Sequence, residues 1–438
     1  MNYFCFLLVS AIAYIIPNTF TQKDWEIILY TFQELAPDLE LSQCGNKFCV
    51  KAERDISAGE LLLGLSFKYI ISPYDYNPLI HINATVQDAL ALYILHEKFN
   101  GNRGNFINSY VHSLPTETYL PLNWTLQQHE LYQNLSLRWW PVQNSDEYLK
   151  RCQVFTEMFQ SAKSALPSDL FECEAWKWAY SIKSMRTFKT HIRELQAFGR
   201  GGKSKEDGVV RIFLPGIDFI GYDKKRLGDS SGEFFVNFNK YPESMNLFAM
   251  RNFYEDYEVY NYYGAKSNFD MMNELGVVFE RNPNDIFVIS INSTENCLGS
   301  NSDNACHYQL GVKEINWNLF MYLISVNDKF SSDLKKYKSI ATYFNIKTEY
   351  AEFPKEDEET ILSFEKAMKT YHLILSRTYA NFNAISWREL RRKSSEYTQP
   401  AEKLIWDYSV SERASFFEHL KNYDRSYLFY LLGSLKLF

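Results

Sequence analysis

A basic surplus is missing from this sequence. Its 46 Lys and Arg residues stand against 53 Asp and Glu, a formal charge of −7. No excess of cations is available to displace counterions from a nucleic-acid backbone, which argues against nucleic acid as the main partner. No internal repeat with a period of about 20–50 residues occurs, which excludes solenoids and propellers. Common hydrolytic templates are absent too: there is no G-x-S-x-G elbow, no H-E-x-x-H, and no Cys with a plausible His partner. C-x-x-C does not recur, and only His307 adjoins a Cys, which argues against zinc or another metal. The loop 197–208, AFGRGGKSKEDG, imitates a phosphate loop at Gly202-Lys203-Ser204. Ala197 stands where the first Gly is required, however, and a strand-like run, Val209–Leu214, follows in place of a helix. Nucleotide phosphate binding is thereby excluded.

What is present describes a folded chain. Apolar residues make up 46% and aromatics 17% of 438 residues, enough for two or three domains with a large core. Phe4–Ile16 (FCFLLVSAIAYII) is apolar and uncharged and is ended by Pro17. It falls short of the roughly 20 residues that span a bilayer but suits the core of a signal peptide. Ala11-Ile12-Ala13, or the region of Thr19–Thr21, offers a cleavage site, although no Lys or Arg precedes the apolar run. The expectation is a leader over 1–20 and a mature chain in the secretory pathway or outside the cell, with no membrane association after leader removal. The alternative is a buried N-terminal helix in a cytoplasmic or nuclear protein. Of seven cysteines, Cys5 would leave with the leader. The other six form three close pairs, Cys44/Cys49, Cys152/Cys173 and Cys297/Cys306, suited to disulfides whose connectivity the spacing leaves open.

Periodicity predicts a helix over Trp25–Leu35 ended by Pro37, and short strands across Leu39–Ser72. A helix is predicted over Val86–Phe99 with Ala89, Leu90, Tyr93 and Ile94 on one face, and others over Tyr148–Ala162 and Phe171–Thr187. Strands follow at Val209–Leu214, Glu233–Phe238, Leu247–Arg251 and Ile286–Ile291. From about Gly311 the pattern is helical, with a stripe of Ile361, Phe364, Met368, Tyr371 and Leu375 at core spacing, led by the acidic run Glu356–Glu359. Between these lies 259–285: a strand Val259–Tyr262, a turn at Gly264, and a helix opening at Ser267. Asp270 is its capping partner and Gly276 its stop, with Phe269, Met272 and Leu275 facing a core.

The full form of that segment is Y-G-x-K-S-N-x-x-x-x-x-x-L-G-V-V-F from Tyr263, followed by Asn282-Pro283-Asn284-Asp285. It resembles the SET-domain protein methyltransferases, in the branch of the Rubisco large-subunit lysine methyltransferase and the actin-histidine methyltransferase. Other pieces keep the family's order: Ala52-x-Arg54-Asp55-Ile56-x-x-Gly59-Glu60, then Tyr110-Val111-x-x-Leu114-Pro115, Pro121-x-x-Trp124, Trp178-Ala179 and Arg186, and Pro215-x-x-Asp218. Ala401–Trp406 is similar to the family's C-terminal helical domain. The resemblance implies an α+β SET fold of short antiparallel sheets over 21–292, a helical insertion at about 85–190, and an all-α substrate-binding domain over 310–438. It also implies S-adenosyl-L-methionine as cofactor and a protein or peptide substrate. Tyr263 would line the methyl-transfer channel as the catalytic residue. Phe48, Cys49, Arg186, Asp218, Gly221 and Tyr222 would join it around the cofactor, with Arg186 meeting the cofactor carboxylate.

Two departures stand out. The family's Gly-x-Gly falls on Lys47 and Cys49, with Phe48 between them, and its Asn-His pair on Gly221 and Tyr222. Glu255–Glu258 also replaces a Gly-Glu turn. Two functions follow: an S-adenosylmethionine-dependent N-methyltransferase acting on Lys or His side chains, or an exported SET scaffold that binds a protein or peptide without methyl transfer.

Overall fold

The computed structural model describes residues 20–44, 47–74, 86–100, 104–136, 173–196, 208–221, 234–239, 244–260, 264–280, 282–291, 300–302, 305–311 and 387–434, with separate positions at 319, 323 and within 366–375. The leader region 1–19, the predicted helix Tyr148–Ala162, the loop 197–207 and the acidic run 356–359 lie outside them.

In chain order the helices are α1 (Gln22–Leu35), α2 (Val86–Asn100), α3 (Phe106–Ser113), α4 (Leu126–Leu135), α5 (Cys173–Arg186), α6 (Ile192–Gln196), α7 (Asn268–Leu275), α8 (Trp387–Glu396) and α9 (Pro400–Ser434). The strands are β1 (Leu39–Cys44), β2 (Lys47–Ala52), β3 (Leu61–Ser66), β4 (Thr187–His191), β5 (Val209–Phe213), β6 (Phe234–Asn239), β7 (Ser244–Ala249), β8 (Ile286–Ile291), β9 (Ser300–Ser302) and β10 (Ala305–Gly311). Among the described residues no helix is long and apolar enough to cross a membrane.

The chain divides into two compact units, Met1–Asn123 with Gln143–Asp223 and Ser231–Tyr262, and Trp124–Val142 with Lys224–Ser230 and Tyr263–Phe438. In the first unit α1 starts three residues before Trp25, because Thr21 and Asp24 form a reciprocal capping box that satisfies two helix-end donors. Asp24 also accepts from Ser109 of α3 at 3.0 Å, so the cap joins two helices. Antiparallel pairs β1–β2 and β4–β5 and a sheet ordered β3-β7-β6 enclose a core that includes Phe32, Val50, Leu63, Ile212 and Leu247. α2 departs from its one-faced prediction. Ala89 to Leu92, Ile94, Leu95 and Lys98 are all buried, because α3, α5 and β5 pack around it. The buried Lys98 ammonium donates to the His112 carbonyl at 3.2 Å, and burial pushes its pKa down to about 8.

Of the predicted strand Val259–Tyr262, only 259–260 is described; Tyr260 bridges Gly221, and the neighbouring Glu258 bridges Lys51. Upstream, the turn 253–257 is tied to β2 by Asp256 N–H on the Ala52 carbonyl and Ala52 N–H on the Tyr257 carbonyl.

In the second unit α7 opens and ends where predicted, with Ser267 accepting from the Asp270 N–H and Gly276 at φ 67°. The Asp270 carboxylate, however, accepts from the Ser267 hydroxyl rather than closing a capping box, and Leu275 is only half-buried. Met272 joins a core with Tyr132, Leu390, Ile405 and Tyr408, and Phe269 packs against that core. Tyr371 and Leu375 of the predicted stripe are buried, while Ile361, Phe364 and Met368 lie outside the described residues. β8, β10 and β9 form an antiparallel sheet. α9 runs 35 residues, past the predicted end at Leu420.

Candidate functional site

Polar groups of the first unit converge on the turn that follows β5. Phe213, the last residue of β5, exchanges backbone hydrogen bonds with Ile71 at 2.9 and 3.1 Å, which fixes where the strand stops. Gly216 then adopts φ 100°, a conformation a side chain resists, and Ile217–Phe219 makes one tight helical turn.

Asp218 sits in that turn, 4% exposed. Its Oδ2 accepts from the Tyr110 hydroxyl at 2.7 Å and its Oδ1 from the Gly216 N–H at 3.3 Å. Its backbone carbonyl accepts from Arg186 Nη1 at 2.9 Å, and that nitrogen lies 3.9 Å from Oδ2. Burial pushes the carboxyl up to about 6, against the opposing pull of Arg186 and Tyr110. Arg186 ends α5, where a cation suits the negative end of the helix dipole. Its side chain is 29% exposed, and beyond Nη1 its guanidinium has no partner among the described residues.

Phe48 and Cys49 lie on β2, which packs on the 217–219 turn. The Phe48 ring is stacked on Trp25 at 5.4 Å and 6° and packs against Phe219 at 4.6 Å. Cys49 is buried and disulfide-bonded, with the Ser42 hydroxyl 3.2 Å from its sulfur. Cys173, the first residue of α5, is disulfide-bonded as well. Gly221 pairs with Tyr260 in a parallel bridge, and a Cβ built on it would meet nothing within 4 Å among the described residues. Tyr222 and Tyr263 lie outside the described residues.

Five of the predicted site residues thus belong to one unit: Asp218 and Gly221 lie on the 216–221 turn, Phe48 and Cys49 on the strand packed on it, and Arg186 reaches it from the end of α5. Sequence reading missed Tyr110 and Trp25 as members of this cluster. Tyr110 stood within the Y-x-x-x-L-P pattern, and a buried Tyr needs a partner for its hydroxyl. That requirement was the available signal.

No family model matches the chain. The actin-histidine N-methyltransferase of Papio anubis is 24% identical over 252 residues, covering 54% of this chain and 39% of that protein. The chain therefore matches about two fifths of that relative's length. Among solved structures, the SET domain of LSMT bound to lysine and AdoHcy superposes with a TM-score of 0.62 at 12% identity, covering 93% of this chain and 92% of that one. Rubisco LSMT bound to AdoMet superposes with a TM-score of 0.58 at 13% identity, covering 92% of each chain. Over nearly its whole length, the chain therefore shares the fold of these SET-domain structures.

Proposed function

We propose that the chain is an S-adenosylmethionine-dependent protein N-methyltransferase acting on Lys or His side chains. The observation that carries the reading is Arg186. One guanidinium nitrogen is committed to the Asp218 carbonyl, and the remaining N–H edge has no partner among the described residues. An arginine so held is suited to a carboxylate, and the resemblance puts the carboxylate of S-adenosylmethionine there. Among the described residues, nothing crowds the Cβ side of Gly221, which supports room for a bound molecule there. These residues fit the cofactor's amino-acid end.

At 47–49 the fit rests on backbone, since the Phe48 ring is engaged by Trp25 and Phe219 and the Cys49 side chain is buried. When bound, S-adenosylmethionine supplies an electrophilic sulfonium methyl. The protein's part is to orient a neutral amine or imidazole about 3–3.5 Å from that carbon and to exclude water. The resemblance assigns Tyr263 to that channel, and Arg186 to the cofactor carboxylate.

Calorimetric titration with S-adenosylhomocysteine tests the reading. Micromolar binding, weakened about 10- to 100-fold by Arg186→Ala, is expected from the loss of a charged hydrogen bond. Silence up to millimolar ligand would overturn it. That result would favour a scaffold that binds a protein or peptide without chemistry, a reading supported by Gly221 and Tyr222 standing in for Asn-His.

The apolar run Phe4–Ile16 and the disulfide-bonded Cys49 and Cys173 support export through the secretory pathway. Mass spectrometry of the protein expressed with its leader in a eukaryotic cell should find a new N-terminus near residue 20 and no free thiol at these two positions.

A further inference from the structure

We infer that Tyr110 is a positioning residue, which keeps the Asp218 carboxylate from capturing Arg186 and so leaves the guanidinium edge facing the carboxylate of bound S-adenosylmethionine. The inference rests on the reading of that site given above and adds a residue to it.

Tyr110 is fully buried on α3, 108 residues from Asp218. Its ring is fixed independently of its hydroxyl, against Phe213 at 6.4 Å and Phe219 at 5.9 Å. The hydroxyl gives Asp218 Oδ2 its shortest hydrogen bond, 2.7 Å. The next donor to that oxygen is Arg186 Nη1 at 3.9 Å, which is occupied at 2.9 Å by the Asp218 main-chain carbonyl. A buried carboxylate stripped of a partner is costly, so it takes the nearest cation. Without the phenol, a small rotation of the guanidinium turns the 3.9 Å approach into a direct ion pair and swings the remaining N–H edge away from the ligand. The phenol is the neutral donor that keeps carboxylate and arginine on separate partners.

Tyr110→Phe keeps the ring and removes only the hydroxyl. S-adenosylhomocysteine affinity, measured calorimetrically, is expected to fall about 5- to 20-fold in this variant. Because the effect runs through Arg186, Tyr110→Phe is expected to be silent in an Arg186→Ala background. It is also expected to be silent in an Asp218→Asn background, where no charge competes for the arginine. A merely structural role for Tyr110 predicts additive losses in both backgrounds. Wild-type affinity in Tyr110→Phe, or additive losses in the double variants, would overturn this inference and leave the site reading intact. A wild-type protein that binds no S-adenosylhomocysteine would overturn the site reading and this inference together.

Discussion

Asn268 and Asp285, 17 residues apart, hold each other at both carboxylate oxygens: the Asn268 N–H donates to Oδ1 at 2.9 Å and its Nδ2 to Oδ2 at 3.1 Å. Ser415 and Ser411 of α9 donate to the same Oδ2 at 2.9 and 3.2 Å. The Asn268 amide also bridges both backbone groups of Phe279, accepting from its N–H at 3.0 Å and donating to its carbonyl at 2.8 Å. The Lys-Ser-Asn and Asn-Pro-Asn-Asp pieces of the motif therefore knot α7, β8 and α9 into one buried network. Asp285→Ala is expected to destabilise the protein by about 3–5 kcal/mol, since it strands several buried donors at once. Urea unfolding of the variant measures this, and a loss below about 1 kcal/mol would show that the network is dispensable.

Two left-handed backbone positions give opposite expectations. Gly276 caps α7 at φ 67°, with its N–H shared between the Met271 and Met272 carbonyls. Asp256 holds φ 64° in the turn 253–257, alone among the described non-glycine residues in having positive φ. Gly276→Ala should cost about 1 kcal/mol, while Asp256→Gly should be neutral or stabilising by up to about 1 kcal/mol. Thermal unfolding of the two variants should shift Tm in opposite directions, or leave it unmoved for Asp256→Gly. A Tm lowered by Asp256→Gly would show that the aspartate is held there by more than its backbone.

Features whose cause is local were legible in the sequence. Ser267, Asp270 and Gly276 fix α7 through caps a few residues apart, and the β-rich run 39–66 needed only alternation and turns. What escaped depends on distant partners. The all-round burial of α2 is set by α3, α5 and β5, which no periodicity within Val86–Phe99 encodes. The segment 258–260 has strand-like composition, but it spends its pairing on single bridges to Lys51 and Gly221 rather than on a continuous ladder. Within the site, Arg186, Asp218 and Gly221 were named from motif order. Tyr110 was not, because its partner is 108 residues away and a helical tyrosine carries no local mark of what its hydroxyl meets.

His419 gives the second unit an acid-sensitive lock. Its Nδ1 meets the Gly311 carbonyl at 2.7 Å and so carries the proton, leaving Nε2 to accept from the Tyr371 hydroxyl at 2.8 Å. Burial pushes its pKa down to about 4, while an unfolded histidine titrates near 6.5. The folded state thus binds fewer protons between those values. Its contribution is complete above pH about 6.5 and is lost as pH falls through about 4, a change of about 3 kcal/mol. His419→Gln supplies one donor and one acceptor without a charge. The wild-type minus variant stability, from denaturant melts, should fall by that order between pH 6.5 and 4. A flat difference would mean that the imidazole is charged in the fold.

Asp218 predicts the opposite slope in the first unit. Its carboxyl is raised by burial to about 6, from an ordinary value of 3.8. The folded state therefore holds a proton that the unfolded chain releases, so this group's contribution to stability is fully present below pH about 3.8 and is lost as pH rises through about 6. From pH 5 to 7.5 the loss comes to about 1–1.5 kcal/mol. Asp218→Asn removes the ionisation, so stability of the variant relative to wild type should increase by that amount over the same interval, whatever the constant cost of the amide. In Tyr110→Phe the phenol gives way to a direct Arg186 ion pair, which favours the charged form more strongly than a neutral donor, so the transition should move to lower pH. Paired urea melts at pH 5, 6, 7 and 7.5 read both effects. A difference between wild type and Asp218→Asn that does not vary with pH would mean that the carboxylate is ionised throughout, with Arg186 as its true counter-charge.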